Sequence, residues 1–525
     1  MLVVADFQNK TLLTKPASIG WLNKLYYLNK NGHCVVTIII ISPTKLFRRM
    51  FMSTEREHFS SRLGFILAAA GSAVGIGNLV GFPVNAAKNG GGAFLLMYAL
   101  FVFFICLPVM IAEMAVGRKT EKEPVGAYKT LSGGSRAWGA AGFLGVLTPF
   151  MIAVFYTVIT VWILGYIVLI VSGNLDLLAN GDYFTQFVKN EYLFASLIVV
   201  SAMVYFILVA GVKEGIEKAA KILMPALFIM LILMVIYVLT LENAMAGVKF
   251  FLIPDLSKLT PSIINGALSQ AFFSLSLGMG ILITYGSYID KKTDIVGSAK
   301  FVALTDTAVA FTAGLMILPA IFSFDPNINP DELSNSGVAL IFTFLPKIFL
   351  ALQVSLGYFG ASALAVSFFL LVFFAAITSL VSIIEVPVSY LVFEKCQSRK
   401  KALTTLLMSA GILTIFALVS YGMVDFFSDF MNYAGQNKAF FDVIVDVFYD
   451  TILPLNGFLL CVFVSYRWKK LQLSEELAIG NDAYKGSWVE KYINFSLGTF
   501  IPVIIFGIFI NTVAQKFFAY NIFGF

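Results

Sequence analysis

The chain has 525 residues, of which 59% are hydrophobic and only 13% are charged. A soluble globular protein carries about 25% charged residues, so the composition excludes an ordinary water-soluble enzyme and indicates a polytopic helical membrane protein. Only two histidines, His33 and His58, are present, which excludes a histidine-rich zinc site and a histidine proton relay.

The first 51 residues carry all of the excess positive charge. They hold seven lysines and arginines and one acid, Asp6, whereas the rest of the chain has 29 basic and 29 acidic residues. Nucleic-acid binding therefore has no basis outside this segment. Its one apolar run, residues 34–41, is too short to cross a bilayer and lacks the order of a signal peptide. We expect residues 1–51 to be an extension that is disordered or not native, with Met52 as the real start.

Hydropathy predicts eleven membrane spans, since each span needs about 20 mostly apolar residues. The stretch 348–393 is too long for one upright helix, so its first part is expected to be a loop or a tilted entry. One set of predicted loops holds 20 lysines and arginines and the opposite set holds six. The positive-inside rule then places the N-terminus inside and, with an odd number of spans, the C-terminus outside. The predicted spans are 63–87, 91–116, 139–172, 193–211, 216–240, 262–288, 297–323, 348–393, 402–421, 446–466 and 492–517.

Two of these spans, the first and the sixth, contain sequences that do not suit a continuous helix. They read Gly71-Ser-Ala-Val-Gly-Ile-Gly-Asn78 and Phe273-Ser-Leu-Ser-Leu-Gly-Met-Gly280. Glycine costs about 1 kcal/mol per helical position, and non-helical backbone inside a membrane persists only where it is buried in protein or lines a cavity. Breaks five spans apart are typical of a five-plus-five inverted repeat, whose freed carbonyls bind cations and whose helix N-termini bind a carboxylate. Close packing through small residues is the alternative.

Three ionisable residues lie well inside the predicted spans, namely Glu113, Asp306 and Glu385. An unpartnered carboxylate at the bilayer centre costs about 3 kcal/mol or more, so each is a candidate functional residue. Asp306 lies among threonine hydroxyls, which suit a hard cation. Glu113 and Glu385 are expected to cap loose backbone amides. No metalloprotease or nucleophile motif is present, so we expect no enzyme.

Residues 56–118, REHFSSRLGFILAAAGSAVGIGNLVGFPVNAAKNGGGAF…EMAVGR, resemble the bacterial branch of the neurotransmitter:sodium symporter family. The segments SQAFFSLSLGMGILITYGSY (269–288) and FFAAITSLVSIIEVP (373–387) support the resemblance, which runs from about Met52 to the end. It implies an all-α LeuT-type transporter domain over 52–525, with repeats of about 62–240 and 262–466 and an extra helix of about 492–517. It also implies sodium-coupled symport of an amino acid across the bacterial inner membrane.

The same resemblance implies particular site residues. The first sodium site would use Ala73, Asn78, Ser274, Asp306 and the substrate carboxylate. The second would use carbonyls of Gly71, Val74 and Ala375 with the hydroxyls of Thr378 and Ser379. The substrate would contact Ser72, Ala73, Gly77, Tyr156, Phe273, Ser274, Ser276, Met279, Ser379 and Ile383. The inner gate would use Arg56, Phe59, Tyr288 and Glu394.

Several positions depart from the family pattern. Asp306 stands where the family often has asparagine. One helical turn later, Ala310 stands where the family often has a serine or an acid. We therefore hypothesise that Asp306 replaces the chloride of chloride-dependent members and is protonated on the empty return step. Gly81 replaces the arginine of the usual outer gate, for which Asp446 is the candidate acid.

Gly75 stands where amine-transporting members carry an aspartate, so the substrate is expected to bring its own carboxylate. With no opposite charge in the pocket beyond Asp306, a neutral amino acid with an apolar or aromatic side chain is predicted, and Met279 would admit a large one. The alternatives are a proton-coupled or sodium-independent exchanger and a non-transporting amino-acid sensor. The expected partners are the amino acid and the lipid bilayer, and the oligomeric state is left open.

Overall fold

The computed structural model describes residues 23–28, 34–39, 57–324, 340–520 and 522. Within the predicted N-terminal extension, Asn23–Leu28 pairs antiparallel with Cys34–Ile39, so that Asn23 faces Ile39 and Leu28 faces Cys34. The remainder of residues 1–51, and Arg56 of the predicted inner gate, lie outside the described residues. The nature of the extension stays a prediction.

The rest of the described chain is an all-α membrane domain. Nine single helices are long and apolar enough to cross a bilayer, and a pair bent by 55°, Arg62–Ala73 with Gly77–Lys88, makes a tenth span. Two shorter helices, Pro261–Ser274 and Ile281–Gly286, occupy the position of the predicted sixth span. We number the spans 1 to 11 in chain order, with the bent pair as span 1 and the two shorter helices as span 6. The others are Gly92–Thr120, Arg136–Val171, Tyr192–Val209, Val212–Val238, Ile295–Phe324, Gln353–Phe393, Arg399–Val419, Phe440–Ala478 and Trp488–Phe518.

Spans 1 and 6 are broken where glycine and serine accumulate. The first half of span 1 ends at Ala73, and Val74 is extended (φ −72°, ψ 99°). Span 6 ends its first half at Ser274, and Ser276, Gly278 and Gly280 all have positive φ angles of 54°, 76° and 68°. Glycine adopts such angles without steric cost. The prediction of two interrupted helices, each the first of five, is confirmed.

Span 8 is also irregular. A separate helix, Leu345–Ala351, precedes it, and Gly357 interrupts it with a non-helical conformation (φ 70°, ψ 165°). The expectation that 348–393 would not form one upright helix is therefore correct. π-helical turns lie in spans 2, 5 and 10, at Val102–Cys106, Val212–Glu217, Val445–Ile452 and Phe463–Lys469.

Short elements connect the spans. The helices are Pro124–Leu131, Leu175–Leu178, Tyr183–Phe187, Ala244–Leu252, Leu256–Lys258, Leu340–Phe344, Leu345–Ala351 and Asp425–Ser428, and the strands Met431–Tyr433 and Gln436–Lys438 form a small hairpin. Within the domain, spans 3 and 8 pack along each other, and the first half of span 1 packs against spans 5, 7 and 8. Large apolar side chains such as Phe206, Ile229 and Val503 lie exposed on the outer surface of spans 4, 5 and 11, as expected of helices that face lipid. Each half of span 1 contacts a half of span 6, so the two broken helices meet inside the domain.

Candidate functional site

A buried polar cluster surrounds Asp306 at the point where spans 1, 2, 6 and 7 meet. The Asn78 amide donates to Asp306 Oδ1 at 2.7 Å and to Ser274 Oγ at 2.8 Å. The hydroxyls of Ser274 and Tyr98 donate to Asp306 Oδ2 at 2.8 and 3.1 Å. Asp306 and Asn78 are fully buried. The structure thus brings together the three side chains predicted for the first sodium site and adds Tyr98, which the sequence analysis missed.

A second oxygen cluster lies on the other side of the break in span 1. The Ser379 hydroxyl is 3.4, 3.2 and 3.3 Å from the carbonyl oxygens of Gly71, Ser72 and Val74. The Thr378 hydroxyl lies 3.0 Å from the carbonyl of Ala375 on its own helix. The extended backbone at Val74 frees these carbonyls from helical hydrogen bonds. The residues predicted for the second sodium site therefore converge around the break.

A single cavity separates the two clusters, with about 60 Å³ open to the centre of a water-sized sphere. All ten predicted substrate residues line it: Ser72, Ala73, Gly77, Tyr156, Phe273, Ser274, Ser276, Met279, Ser379 and Ile383. Its lining also includes Gly75, Asn78, Ile152, Gln270 and Tyr449. Three of these, Ile152, Gln270 and Tyr449, escaped the sequence analysis.

Gly75 lies in the wall of this cavity, close to two hydroxyl groups. A Cβ atom there would come within 2.7 Å of Tyr156 Oη and 2.8 Å of Ser379 Oγ. Tyr156 Oη accepts a hydrogen bond from the Ile76 amide at 3.3 Å. The aspartate of amine-transporting family members would fit here only if Tyr156 and Ser379 moved.

One end of the cavity is covered by an amide contact and an aromatic pair. The Gln270 side chain donates to the Gly77 carbonyl at 3.1 Å and accepts from Asn85 at 2.9 Å, which ties span 6 to the second half of span 1. The rings of Phe273 and Tyr449 are stacked at 4.6 Å. No arginine stands at position 81, and these neutral contacts close the cavity on this side.

Asp446, the candidate acid of the outer gate, is engaged elsewhere. It accepts from Tyr433 at 2.8 Å and pairs with Lys516 of span 11 at 2.7 Å. Asp450 pairs with the same lysine at 2.7 Å. The ion pairs therefore join spans 10 and 11 to each other, and span 1 contributes no charge to them.

The opposite end of the domain, where the arginine- and lysine-rich loops lie, is closed by aromatic and ionic contacts. Phe59 is buried against Phe65, Tyr285 and Tyr288, and its amide donates to the Tyr288 carbonyl at 3.1 Å. The Tyr288 hydroxyl donates to Glu385 at 2.8 Å.

Arg399 holds the same Glu385 carboxylate through two bonds of 3.0 and 2.6 Å. The predicted gate partner, Glu394, lies instead about 4.0 Å from Lys129 on the helix Pro124–Leu131. The expected approach of Tyr288 to Glu394 is thus corrected to Glu385. Phe393 and Glu394 end span 8, whereas Glu385 lies two turns deeper, level with Tyr288.

The start of span 1 is also tied to span 5. Glu217 accepts from the Ser60 amide and hydroxyl at 2.6 and 2.5 Å and pairs with Lys221 at 2.6 Å. A Cβ on Gly64 would collide with the Glu217 carboxylate. The carboxylate therefore sits directly on the N-terminus of the first helix, where the helix dipole favours a negative charge.

The model of the sodium:neurotransmitter symporter family matches residues 56–191 and 186–525 of this chain. The chain belongs to this family. Members of the sodium:neurotransmitter symporter family are transporters and not enzymes, so this protein is a multi-pass membrane transporter of a sodium-dependent family. The prediction made from the motif around Gly71–Asn78 is confirmed.

Individual relatives agree with this assignment. The uncharacterized sodium-dependent transporter YhdH of Bacillus subtilis is 35% identical over 88% of this chain and 99% of its own length. A sodium-dependent transporter of Haemophilus influenzae is 33% identical over 87% of this chain and 98% of its own length. The sodium- and chloride-dependent taurine transporter of the dog is 24% identical over 79% of this chain and 76% of its own length. The crystal structure of MhsT in complex with L-phenylalanine matches with a TM-score of 0.75 and 37% identity, covering 87% of this chain and 99% of MhsT.

Proposed function

We propose that this protein is a symporter that couples the entry of sodium to the uptake of a neutral amino acid with an apolar or aromatic side chain. The observation that carries the proposal is the meeting of both helix breaks and Asp306 around one cavity. Two oxygen clusters flank this cavity, so cations and substrate would bind side by side. The proposed location is the bacterial inner membrane, and the charge of the basic loops supports an orientation with those loops and the N-terminus in the cytoplasm and the C-terminus outside.

Two sodium ions are proposed, one in each oxygen cluster. Sodium is a hard cation that favours carboxylate, hydroxyl, amide and carbonyl oxygens. At the first site, a cation would take the place of the hydrogen bonds that Asn78 and Ser274 now donate to Asp306. At the second, it would bind between the Ser379 hydroxyl and the carbonyls of Gly71 and Val74.

Chloride is not required in this proposal. Asp306 supplies a negative charge within the first site, and the hydroxyls of Tyr98 and Ser274 already point at its Oδ2. Ala310, one turn further along span 7, is fully buried and adds no polar group. A bound anion would therefore compete with a fixed carboxylate for the same two donors.

The cavity wall supports the proposed substrate class. Since Gly75 carries no acidic side chain, the carboxylate that completes the first cation site would come from the substrate, near the Gly77 amide and Tyr156. The opposite wall is apolar or aromatic, formed by Ile152, Phe273, Met279, Ile383 and Tyr449, and no lysine, arginine or histidine is among the described lining residues. MhsT, solved with L-phenylalanine, supports a pocket of this type.

Closure on the cytoplasmic side would use Phe59 and Tyr288, with the Glu385–Arg399 pair in the role predicted for Glu394. The membrane potential acting on the sodium ions is large enough to drive uptake of the amino acid. Moving one charge through 100 mV is worth about 2.3 kcal/mol, so two sodium ions would support roughly thousandfold accumulation from the voltage alone.

The test is uptake by purified protein in liposomes. Radiolabelled phenylalanine and leucine would be offered while sodium, chloride and proton gradients are imposed separately. The unlabelled competitors would be the two neutral amino acids themselves, glutamate, lysine and dopamine. The proposal predicts uptake that needs inward sodium, persists when gluconate replaces chloride, and is inhibited by neutral amino acids only. Uptake driven equally well by a proton gradient without sodium would contradict it, and binding without flux would favour a sensor.

A further inference from the structure

The carboxylates of Glu113, Asp306 and Glu385 are buried within spans 2, 7 and 8, and their surroundings differ. Asp306 accepts hydrogen bonds from three side chains beside a proposed cation site. Glu385 is paired with Arg399 and accepts from Tyr288. Glu113, on span 2, is 1% exposed, and its Oε1 accepts from the Gly278 amide at 2.8 Å, while its Oε2 has no hydrogen-bond partner among the described residues.

A small cavity lies beside Glu113, with about 10 Å³ open to the centre of a water-sized sphere. Asn456 of span 10 lines the same cavity. Its amide nitrogen donates to Thr148 and to the Gly278 carbonyl, each at 3.0 Å, and its Oδ1 is buried without a partner. Glu113 and Asn456, each with one buried oxygen that has no partner among the described residues, therefore line the same cavity.

An ionised Glu113 would leave this arrangement short of a donor. Both oxygens of the carboxylate, and Asn456 Oδ1 as well, would then be hydrogen-bond acceptors. The described lining of the cavity contains no lysine, arginine or histidine. The titratable neighbours are Tyr128 and Cys461, on the helices packed against it, which are neutral in their ordinary forms. A buried carboxylate without a counter-charge is strongly destabilising, and each unsatisfied buried acceptor adds to that cost.

A neutral carboxyl group satisfies every atom. One oxygen accepts from the Gly278 amide, and the O–H supplies the donor that Asn456 Oδ1 lacks, directly or through the one water molecule that the cavity admits. We propose that Glu113 is a proton-binding site that stays neutral through the transport cycle and donates a hydrogen bond toward Asn456.

The bound proton would stabilise the hinge of span 6. Gly278 has a positive φ and lies between Ser276 and Met279 of the substrate cavity, and both its amide and its carbonyl are held by this pair of side chains. Glu113 and Asn456 thus fix the broken backbone from spans 2 and 10. The protonation state of Glu113 rests on hydrogen bonding alone and does not depend on the proposed substrate.

The direct test is infrared spectroscopy of the purified protein at neutral pH. The wild-type spectrum minus that of Glu113→Gln should contain the carbonyl stretch of a protonated carboxylic acid, shifted by exchange into D₂O. Glu385→Gln is the matched control, because its carboxylate is ion-paired, and the same subtraction should show a carboxylate band instead. A carboxylate band lost from Glu113→Gln would overturn the proposal.

Uptake provides the second readout. A glutamine side chain has nearly the same shape and keeps both an acceptor for the Gly278 amide and a donor for Asn456. Glu113→Gln is therefore expected to keep uptake within about threefold of wild type. Glu113→Leu, which offers neither, should lose at least about tenfold. Equal losses in both variants, with both folded by size-exclusion chromatography, would contradict the donor role even if the infrared band is found. Failure of sodium coupling would leave the infrared result unchanged, so the two proposals are separable.

Discussion

Asp306 and Glu113 are chemically alike and equally buried, yet their surroundings favour opposite states. Three side chains donate to Asp306, so its negative charge is stabilised and a cation has a place beside it. One backbone amide donates to Glu113, and its second oxygen faces another acceptor. In the two proposals, the number of donors around each buried carboxylate, more than its depth, distinguishes the cation-binding Asp306 from the proton-binding Glu113.

The largest expected effect comes from removing the charge at the first site. Asp306→Asn keeps the shape but leaves a bound sodium ion without its counter-charge, and breaking a buried ion pair costs about 3–5 kcal/mol. We predict that sodium affinity in chloride-free buffer falls by about a hundredfold or more, measured as the sodium dependence of uptake. Asp182→Asn, in an exposed loop, is the control. Full chloride-free uptake by Asp306→Asn would remove the distinction between the two carboxylates.

The second prediction concerns the space between the two cation clusters. Gly75→Ala would force Tyr156 and Ser379 to move, because the new methyl group would lie within 2.8 Å of both hydroxyl oxygens. Amino-acid affinity should fall by at least about tenfold, since overpacking costs about 1–3 kcal/mol. Gly81→Ala is the matched control on the same span, where the new atom makes only a 3.8 Å contact with Gln270. Similar losses in the two variants would show that the cavity is not where we place it.

A smaller effect is expected at the second cation site, which has no carboxylate. Ser379→Ala removes one neutral oxygen from the cluster around the Gly71 and Val74 carbonyls, and a neutral ligand is worth about 1 kcal/mol. Sodium affinity should fall several-fold, clearly less than in Asp306→Asn. Ser367→Ala, on the same span but bonded to its own helix, should have no effect. A larger loss in Ser379→Ala than in Asp306→Asn would reverse the ranking of the two sites.

The smallest effect is predicted for the hydrogen bond between Tyr288 and Glu385. Tyr288→Phe removes one hydrogen bond from Glu385 but leaves both bonds from Arg399. The free energy of unfolding should therefore fall by about 0.5–1.5 kcal/mol. Uptake should fall less than in Ser379→Ala, and the thermal midpoint should shift by a few degrees. Glu385→Gln, which leaves Arg399 buried without its partner, should be clearly worse in both assays. The opposite order would mean that Tyr288 acts independently of the ion pair.

Much of the fold was predictable because the membrane imposes simple rules. Long apolar runs located the spans, and glycine with serine in two of them located the breaks near Val74 and Ser276. Asp306 stood out because a charge is rare at that depth. In each case the signal lies in a single segment and needs no knowledge of its neighbours.

The missed residues have no such local signal. Tyr98, Ile152 and Tyr449 are ordinary members of apolar helices until the packing places them beside the site. Gln270 and Asn85 pair across 185 positions of sequence, and Tyr288 meets Glu385 across 97. Such partners depend on the rotation of one helix against another, which hydropathy does not specify.

The central claim is that a cation and a zwitterion bind together where the two broken helices meet. The most direct measurement is titration calorimetry of purified protein with L-phenylalanine in sodium and in potassium buffers. Because linkage between two ligands is reciprocal, phenylalanine affinity should rise with sodium concentration, and this rise should be greatly reduced in Asp306→Asn. Equal affinity in sodium and potassium would contradict the account.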